Sequence, residues 1–197
     1  MILVLISVFA FGVIHTLTAG QFKRWFRDRF GERAYDGLYR VFYNILSLIT
    51  LAPISLLFSL RPGDIVWTID LRWEPLLLII QAIGLIGLVI SLLQIDLGRF
   101  LGISQLFAYI RGAPLPLPDE KLQTGGLYRF VRHPLYLFSI LTIWPVTTMT
   151  QGYFGFCVGA TLYFLIGSIY EERRLIRYFG QDYEDYRKRV SRIVPFI

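Results

Sequence analysis

The sequence predicts an all-α integral membrane protein with about five transmembrane helices, a C-terminal helical hairpin and an amphipathic cytoplasmic tail folded back on it. Three observations predict this. Hydrophobic residues make up 55% of the chain and charged residues only 17%, against roughly a quarter charged in a soluble domain. The apolar residues fall in five runs, Met1 to Leu17, Val41 to Leu60, Leu76 to Leu93, Leu135 to Met149 and Phe154 to Tyr170, each near the length that a ~30 Å bilayer core requires. The 20 Lys and Arg residues are also unevenly placed: drawing five spans leaves only Arg61 and Arg72 on one side. By the positive-inside rule the N-terminus is outside and the C-terminus cytoplasmic, in a multi-pass protein of the bacterial inner-membrane type. The net charge of +6 then belongs with anionic membrane lipids and calls for no nucleic acid. The composition excludes a disordered chain, a disulfide scaffold and a soluble Rossmann enzyme, since the one cysteine, Cys157, lies inside the last apolar run.

The first run has no basic stretch ahead of it and a basic cluster behind it (Lys23, Arg24, Arg27, Arg29), so it reads as a retained span and not a signal peptide. Thr18 to Leu38, with Phe22, Trp25, Phe26 and Phe30 among the charges, predicts one helix lying at the interface. Arg61 to Glu74 holds Pro62-Gly63-Asp64, Trp67 and Trp73, a turn with interfacial aromatics. Gln94 to Ile110 keeps helical apolar spacing, and the prolines between Ala113 and Asp119 then end it. Pro134 suits the first turn of span four. The connection around Thr150-Gln151-Gly152 predicts a tight hairpin, with Gly155 and Gly159 permitting close helix contact. Beyond span five, Leu175, Phe179, Tyr183, Tyr186 and Val190 recur at three and four, which predicts a helix pair broken or bent at Gly180. The whole chain, 1–197, reads as one membrane domain, with N-terminal spans and interfacial helices to residue 110 and a loop, two spans and a tail from residue 111.

Polar groups at costly positions are the candidates for chemistry. They are Arg132 and His133 at the mouth of span four, Glu171 and Glu172 at the end of span five, and His15 near the end of span one. A hairpin would bring the Arg-His pair to the two glutamates. One reading is an interfacial salt bridge; the other is a site for a zwitterionic cofactor, with Gly125 and Gly126 letting backbone approach it. Two glutamates exceed what one arginine needs, which favours a site. Two histidines and one cysteine form no ligand pair at helical spacing, so no metal is expected, and no phosphate-binding glycine loop is present. His15 by itself reads as a packing or interfacial residue, and Cys157 as a small hydrophobe.

Gly126-Leu-Tyr128, then Arg132-His-Pro-x-Tyr136, then Glu171-Glu172 and Phe179-Gly180-x-x-Tyr183-x-x-Tyr186 resemble the isoprenylcysteine carboxyl methyltransferase and phospholipid methyltransferase superfamily, from about Glu120 onwards. The resemblance implies S-adenosylmethionine bound between the last two spans and the tail. It places cofactor contacts on Lys121, Leu122, Gln123 and Gly126, on Tyr128, on Arg132, His133, Pro134, Leu135 and Tyr136, and on Glu171 or Glu172. The glutamates would meet the cofactor's ammonium, Arg132 its carboxylate or the loop, and His133 would hydrogen-bond the cofactor or shape the site. Where that family often has His-x-Leu-Val, this chain has Glu120-Lys-Leu-Gln. In the front half, His15-Thr-Leu-Thr-Ala, Arg40-Val-Phe-Tyr-Asn44 and Leu93-Gln-Ile-Asp-Leu-Gly-Arg-Phe-Leu-Gly102 resemble the NnrU-type proteins and the methanethiol S-methyltransferases. That branch implies methyl transfer to a small or lipophilic acceptor, a thiol ahead of a prenylcysteine carboxylate, with His15, Tyr43 and Asn44 as acceptor residues. It also carries an alternative, a non-catalytic accessory protein of nitrogen oxide metabolism. A sterol-type reductase using NADPH is disfavoured by the chain's length.

Overall fold

The structure is a computed structural model that describes residues 1–195. The end of the expected tail and domain, residues 196 and 197, lies outside the described residues. The chain packs into two units that interleave along the sequence. The N-terminal unit comprises Ile2–Arg61 and Asp96–Glu120; the C-terminal unit comprises Pro62–Ile95 and 121–195, together with Met1.

In the N-terminal unit, α1 (Ile2–Leu17) passes through a π-helical turn, Thr18–Phe22, into α2 (Lys23–Phe30). The π turn loosens the backbone ladder, and the Tyr39 hydroxyl donates to the Thr18 carbonyl there. Gly31, with φ +86°, ends α2, and α3 (Glu32–Leu60) begins at the next residue. The expected interfacial helix over Thr18 to Leu38 is therefore not one element. Its first part continues α1, and its last part opens α3. After Asp96, whose side chain accepts from Arg99 N, come α5 (Leu97–Leu101) and α6 (Ile103–Ile110), separated by Gly102 at φ +85°. The single helix expected over Gln94 to Ile110 is thus two. Gly102 must be glycine for space as well as conformation: a Cβ there would lie 2.7 Å from the Val41 backbone nitrogen on α3.

In the C-terminal unit, α4 (Glu74–Leu93) packs on α7 (Pro134–Ile143). Small residues make this approach possible, as in membrane helix pairs generally. A Cβ on Gly87 would lie 2.3 Å from the Phe138 ring, and one on Gly84 2.6 Å from Thr142 Oγ1. The long α8 (Gln151–Phe179) stops at Gly180, φ +58°, and α9 (Gln181–Arg189) follows. Gly155 and Gly159 are buried on α8, and the atom nearest the space over Gly155 is the Met1 carbonyl at 3.1 Å.

Two features depart from an all-α fold and a tight hairpin. Strand β1 (Ile65–Thr68) pairs antiparallel with β2 (Thr148–Thr150), Ile65 opposite Thr150 and Thr68 opposite Thr148. The connection from α7 to α8 accordingly runs through Trp144, Pro145 and this strand; Thr150 caps α8, and Gln151 and Gly152 are its first turn. Proline at 145 stops α7 after ten residues because it has no N–H to continue the ladder.

Four helical stretches among the described residues are long and apolar enough to cross a membrane: Ile2–Phe30, Glu32–Leu60, Leu71–Leu93 and Gln151–Phe179. Their apolar side chains stay largely uncovered by protein; Phe9 is 73% exposed and Leu48 68%. Such faces are unsuited to water and suited to lipid. The protein is an integral membrane protein.

Candidate functional site

The polar groups of the C-terminal unit gather where α7 begins and α8 ends. Arg132 reaches Glu172 Oε1 with Nε at 2.7 Å and Nη2 at 2.6 Å, a pair whose side chains are only about one-tenth exposed. Its remaining nitrogen, Nη1, donates to the carbonyls of Arg187 and Val190 in the tail. The backbone beside it continues the attachment, with Arg132 N donating to Ser191 O and His133 N to Arg192 O. Arg132 therefore holds the tail and Glu172, and its donors are used in doing so.

His133 sits between the carboxylates. Its Nδ1 is 3.4 Å from Glu171 Oε2 and its Nε2 3.4 Å from Glu172 Oε1; beyond that ion-pair contact the buried Nε2 makes no well-formed hydrogen bond among the described residues. Burial on its own would lower the imidazole pKa. Hydrogen bonding and charge from Glu171 and Glu172 outweigh it, and the pKa is raised above the usual histidine value. Glu171, about one-third exposed, also accepts from the Tyr136 hydroxyl at 2.8 Å. The Tyr136 ring is stacked between His133 and Phe164, with centroids 5.3 Å and 5.1 Å away. His133 precedes α7 because Pro134 fixes the first helical turn, and Glu171 and Glu172 project from the last third of α8.

The turn before this cluster is held from two sides. Leu127 N donates to Gln94 Oε1 at 2.9 Å, and Tyr186 Oη donates to the Tyr128 carbonyl at 2.5 Å. Gly126 has φ +59°, and a Cβ on it would lie 2.4 Å from the Gln94 side chain. This glycine makes room for Gln94; open space is found instead over Gly125. The Tyr128 phenol is pushed up to about 12, first by burial and then by Glu171, so it stays protonated. Lys121, Leu122 and Gln123 lie in the irregular stretch leading to the turn, with Lys121 exposed.

The other candidates belong to the N-terminal unit. His15 Nδ1 and Tyr43 Oη are 2.5 Å apart, their rings 4.4 Å between centroids. Asn44 does something different: its Nδ2 donates to Phe100 O at 3.0 Å, alongside Arg40 Nε at 3.1 Å, which ties α3 to α5. Pairing at helical spacing within α3 cannot reveal that Tyr43 turns to α1 and Asn44 to α5. Sequence reasoning also missed Gln94 and the tail tyrosines as polar participants. Gln94 is signalled only by being a polar residue at the end of an apolar run, and the helical spacing of Tyr183 and Tyr186 signals their rings but not their hydroxyls.

A multispan membrane protein with a buried ionic cluster at one end of a helix pair is the class that fold and site define. The chain belongs to the NnrU protein family, whose model matches residues 2–192. It is similar to the methanethiol S-methyltransferase of Mycobacterium tuberculosis, 32% identical over 198 residues that cover 98% of this chain and 77% of the relative. It is also similar to methanethiol S-methyltransferase 2 of Bradyrhizobium diazoefficiens, 34% identical over 195 residues, 98% and 71% of the two chains. Protein-S-isoprenylcysteine O-methyltransferase B of Arabidopsis thaliana is 37% identical over 83 residues, 40% of this chain and 41% of that one. No solved structure matches.

Proposed function

We propose that this protein is a membrane methyltransferase using S-adenosylmethionine, with a small thiol or a similarly compact lipophilic molecule as acceptor. The observation that carries the reading is a cluster with more binding capacity than its own members use. Glu171 stays partly exposed after pairing with His133 and Tyr136, and His133 Nε2 and Tyr183 Oη are buried polar atoms that make no well-formed hydrogen bond among the described residues. Buried atoms of that kind are rare in a finished interior and suit a polar ligand. The relatives named as methyltransferases of methanethiol run along nearly the whole chain, which supports the choice of chemistry.

S-adenosylmethionine bound there supplies an electrophilic methyl group on a sulfonium. The protein's part is to bind, orient and keep out water. Glu171 offers a carboxylate to an ammonium group, and Tyr136 and His133 fix that carboxylate's direction. Arg132, most of whose donors go to Glu172 and the tail, acts chiefly by holding the tail near the site. The stacked rings of His133, Tyr136 and Phe164 exclude water. We assign acceptor recognition to His15 and Tyr43 of the N-terminal unit; Asn44, tied to Phe100, positions the backbone.

Orientation follows from charge. In the C-terminal unit, ten Lys and Arg lie with the ionic cluster and its flanking loop and tail, against Arg72 alone beside the β1–β2 end. Gly84 meets Thr142 while Gly87 meets Phe138, so α4 and α7 run antiparallel, and the short α7 with its strand returns the chain to the β1 end. This supports five crossings with the cluster and C-terminus cytoplasmic and the N-terminus outside. A reporter fused after the tail should read cytoplasmic and one in the Pro62–Asp70 loop external.

The deciding assay is labelled methyl transfer from S-adenosylmethionine to methanethiol, a prenylcysteine analogue and phosphatidylethanolamine by the purified protein. Label on the thiol is expected. Label on the lipid overturns the acceptor, and label on none, with no S-adenosylmethionine bound, returns the non-catalytic accessory reading that the family name also carries.

A further inference from the structure

We infer that the Tyr183 hydroxyl is a binding group for the carboxylate end of the methyl donor, acting with His133 Nε2. The inference rests on the methyltransferase reading above. Tyr183 is 1% exposed, the largest fully buried side chain among the described residues, and its hydroxyl has no hydrogen-bond partner. An interior hydroxyl left so loses its bonds to water and gains none in exchange. Its neighbour one turn on supplies the contrast: Tyr186 is equally a buried tail tyrosine, but its hydroxyl donates to the Tyr128 carbonyl. One tyrosine fastens the tail, and the other carries an unspent donor into the interior.

The surroundings say what that donor meets. Tyr183 lies on α9 one turn before Arg187, whose carbonyl accepts from Arg132 Nη1, and Glu172, Arg132 and Glu171 are the charged groups that act on it, so it lies beside the ionic cluster. A zwitterionic amino-acid end needs a carboxylate for its ammonium and donors for its carboxylate. Glu171 serves the first. Arg132 is mostly committed elsewhere, with Nε and Nη2 on Glu172 and Nη1 on the tail carbonyls, which leaves at most one Nη2 hydrogen for the second. Two buried donors at the cluster make no well-formed hydrogen bond among the described residues: the Tyr183 hydroxyl, and His133 Nε2, whose one polar neighbour is the ion-pair contact with Glu172 at 3.4 Å. Both can donate to a carboxylate oxygen, with the Arg132 charge close enough to offset the glutamates.

The test compares Tyr183→Phe and Tyr186→Phe in the detergent-purified full chain, reading ligand-free Tm and the Kd for S-adenosylmethionine and for its decarboxylated analogue, which keeps the sulfonium and the ammonium. Tyr183→Phe removes an unpartnered group, so its ligand-free Tm should equal or exceed that of the parent, while Tyr186→Phe should lower it. Affinity of Tyr183→Phe for S-adenosylmethionine should fall about tenfold or more, the loss of a hydrogen bond to a charged group, with little change for the decarboxylated analogue. A Tyr183→Phe chain that melts as low as Tyr186→Phe, that keeps parental affinity, or that loses both ligands equally overturns the inference and leaves the methyltransferase reading standing. A parent protein that binds no S-adenosylmethionine overturns both.

Discussion

The chain's two histidines sit one in each unit, and the units treat them differently. His133 has a carboxylate facing each ring nitrogen and Arg132 beside it in sequence. His15 lies against the rings of Phe11 and Tyr43 and shares a short contact with a phenol. The C-terminal unit thus gathers charge around its histidine, where the tail closes on α7 and α8, and the N-terminal unit surrounds its own with aromatic rings and a phenol hydroxyl. A cluster with balanced charge is suited to a zwitterion, whereas an aromatic setting with one polar pair is suited to a small, partly apolar molecule. The same imidazole gains a different task from the groups that surround it.

Two of the arginine–carboxylate pairs, one from each unit, widen the comparison and give the largest expected effect. Arg132 and Glu172 are about one-tenth exposed; in the N-terminal unit, Arg99 lies 3.3 Å from an Asp96 whose side chain is half exposed. Arg132→Ala leaves Glu172 buried without its cation and releases the tail carbonyls, which should cost about 3–5 kcal/mol. Asp96→Asn keeps the cap's acceptor and removes only an exposed pair, costing about 1 kcal/mol or less. Thermal unfolding in detergent should show a large fall in Tm for the first and a small one for the second. Equal falls would erase the distinction between the units.

The next effect is on binding. Glu171→Gln keeps shape and removes charge, and it should weaken S-adenosylmethionine by about 1.5–3 kcal/mol, the scale of a charge-assisted hydrogen bond. Calorimetry on the ligand and melting of the ligand-free protein separate this from a folding defect, since Glu171 is partly exposed and should be far less important for stability than Arg132.

Much of the C-terminal unit was legible in advance because its signals are local and chemically costly. Histidine and paired glutamates right at the ends of apolar runs occupy costly positions, so Arg132, His133, Glu171 and Glu172 stood out, and Gly180 marked a helix break. What the sequence concealed depends on long-range pairing. The β1–β2 pair joins residues about eighty positions apart and lies in stretches that read as a turn and an apolar run. The π turn arises where a distant tyrosine takes the Thr18 carbonyl. Gly126 was legible as a special position, but its reason, the seat of Gln94, sits 32 residues upstream. Which of the two glutamates Arg132 takes was likewise beyond pattern reading, because adjacent helical residues point about 100° apart and only packing selects one.

The pH dependence of stability should distinguish the histidines. In the folded protein the pKa of His133 is raised, with Glu171 and Glu172 facing the ring, Arg132 and Tyr136 beside them and Arg174 near Glu171. The unfolded chain holds it near the ordinary value of about 6.5. A raised folded pKa means that the proton binds more tightly in the folded state, so its stabilising effect is fully present below about pH 6.5 and is lost as pH rises through the folded value. The ligand-free Tm should therefore decline as pH is taken upward from about 6.5. His133→Gln should flatten that decline, and His15→Gln should leave it in place; the opposite pattern would place the pH-sensitive histidine in the N-terminal unit.

The smallest expected effect is Tyr43→Phe. It removes the hydroxyl that meets His15 Nδ1 at 2.5 Å while keeping the ring that packs on the imidazole, so the loss of stability should be about 0.5–1.5 kcal/mol, the net value of one hydrogen bond. Its effect on turnover should be specific. With acceptor recognition assigned to the N-terminal unit, KM for the thiol should rise and Kd for S-adenosylmethionine should stay at the parental value, the reverse of Glu171→Gln. The hydroxyl also orients His15: when Nδ1 accepts from the phenol, the ring's proton resides on Nε2, and without that bond the two tautomers become more nearly equal. A fall in kcat with unchanged KM would move the His15–Tyr43 pair from acceptor binding to the chemical step. A weakened hold on S-adenosylmethionine would show that the division of labour drawn between the units is wrong.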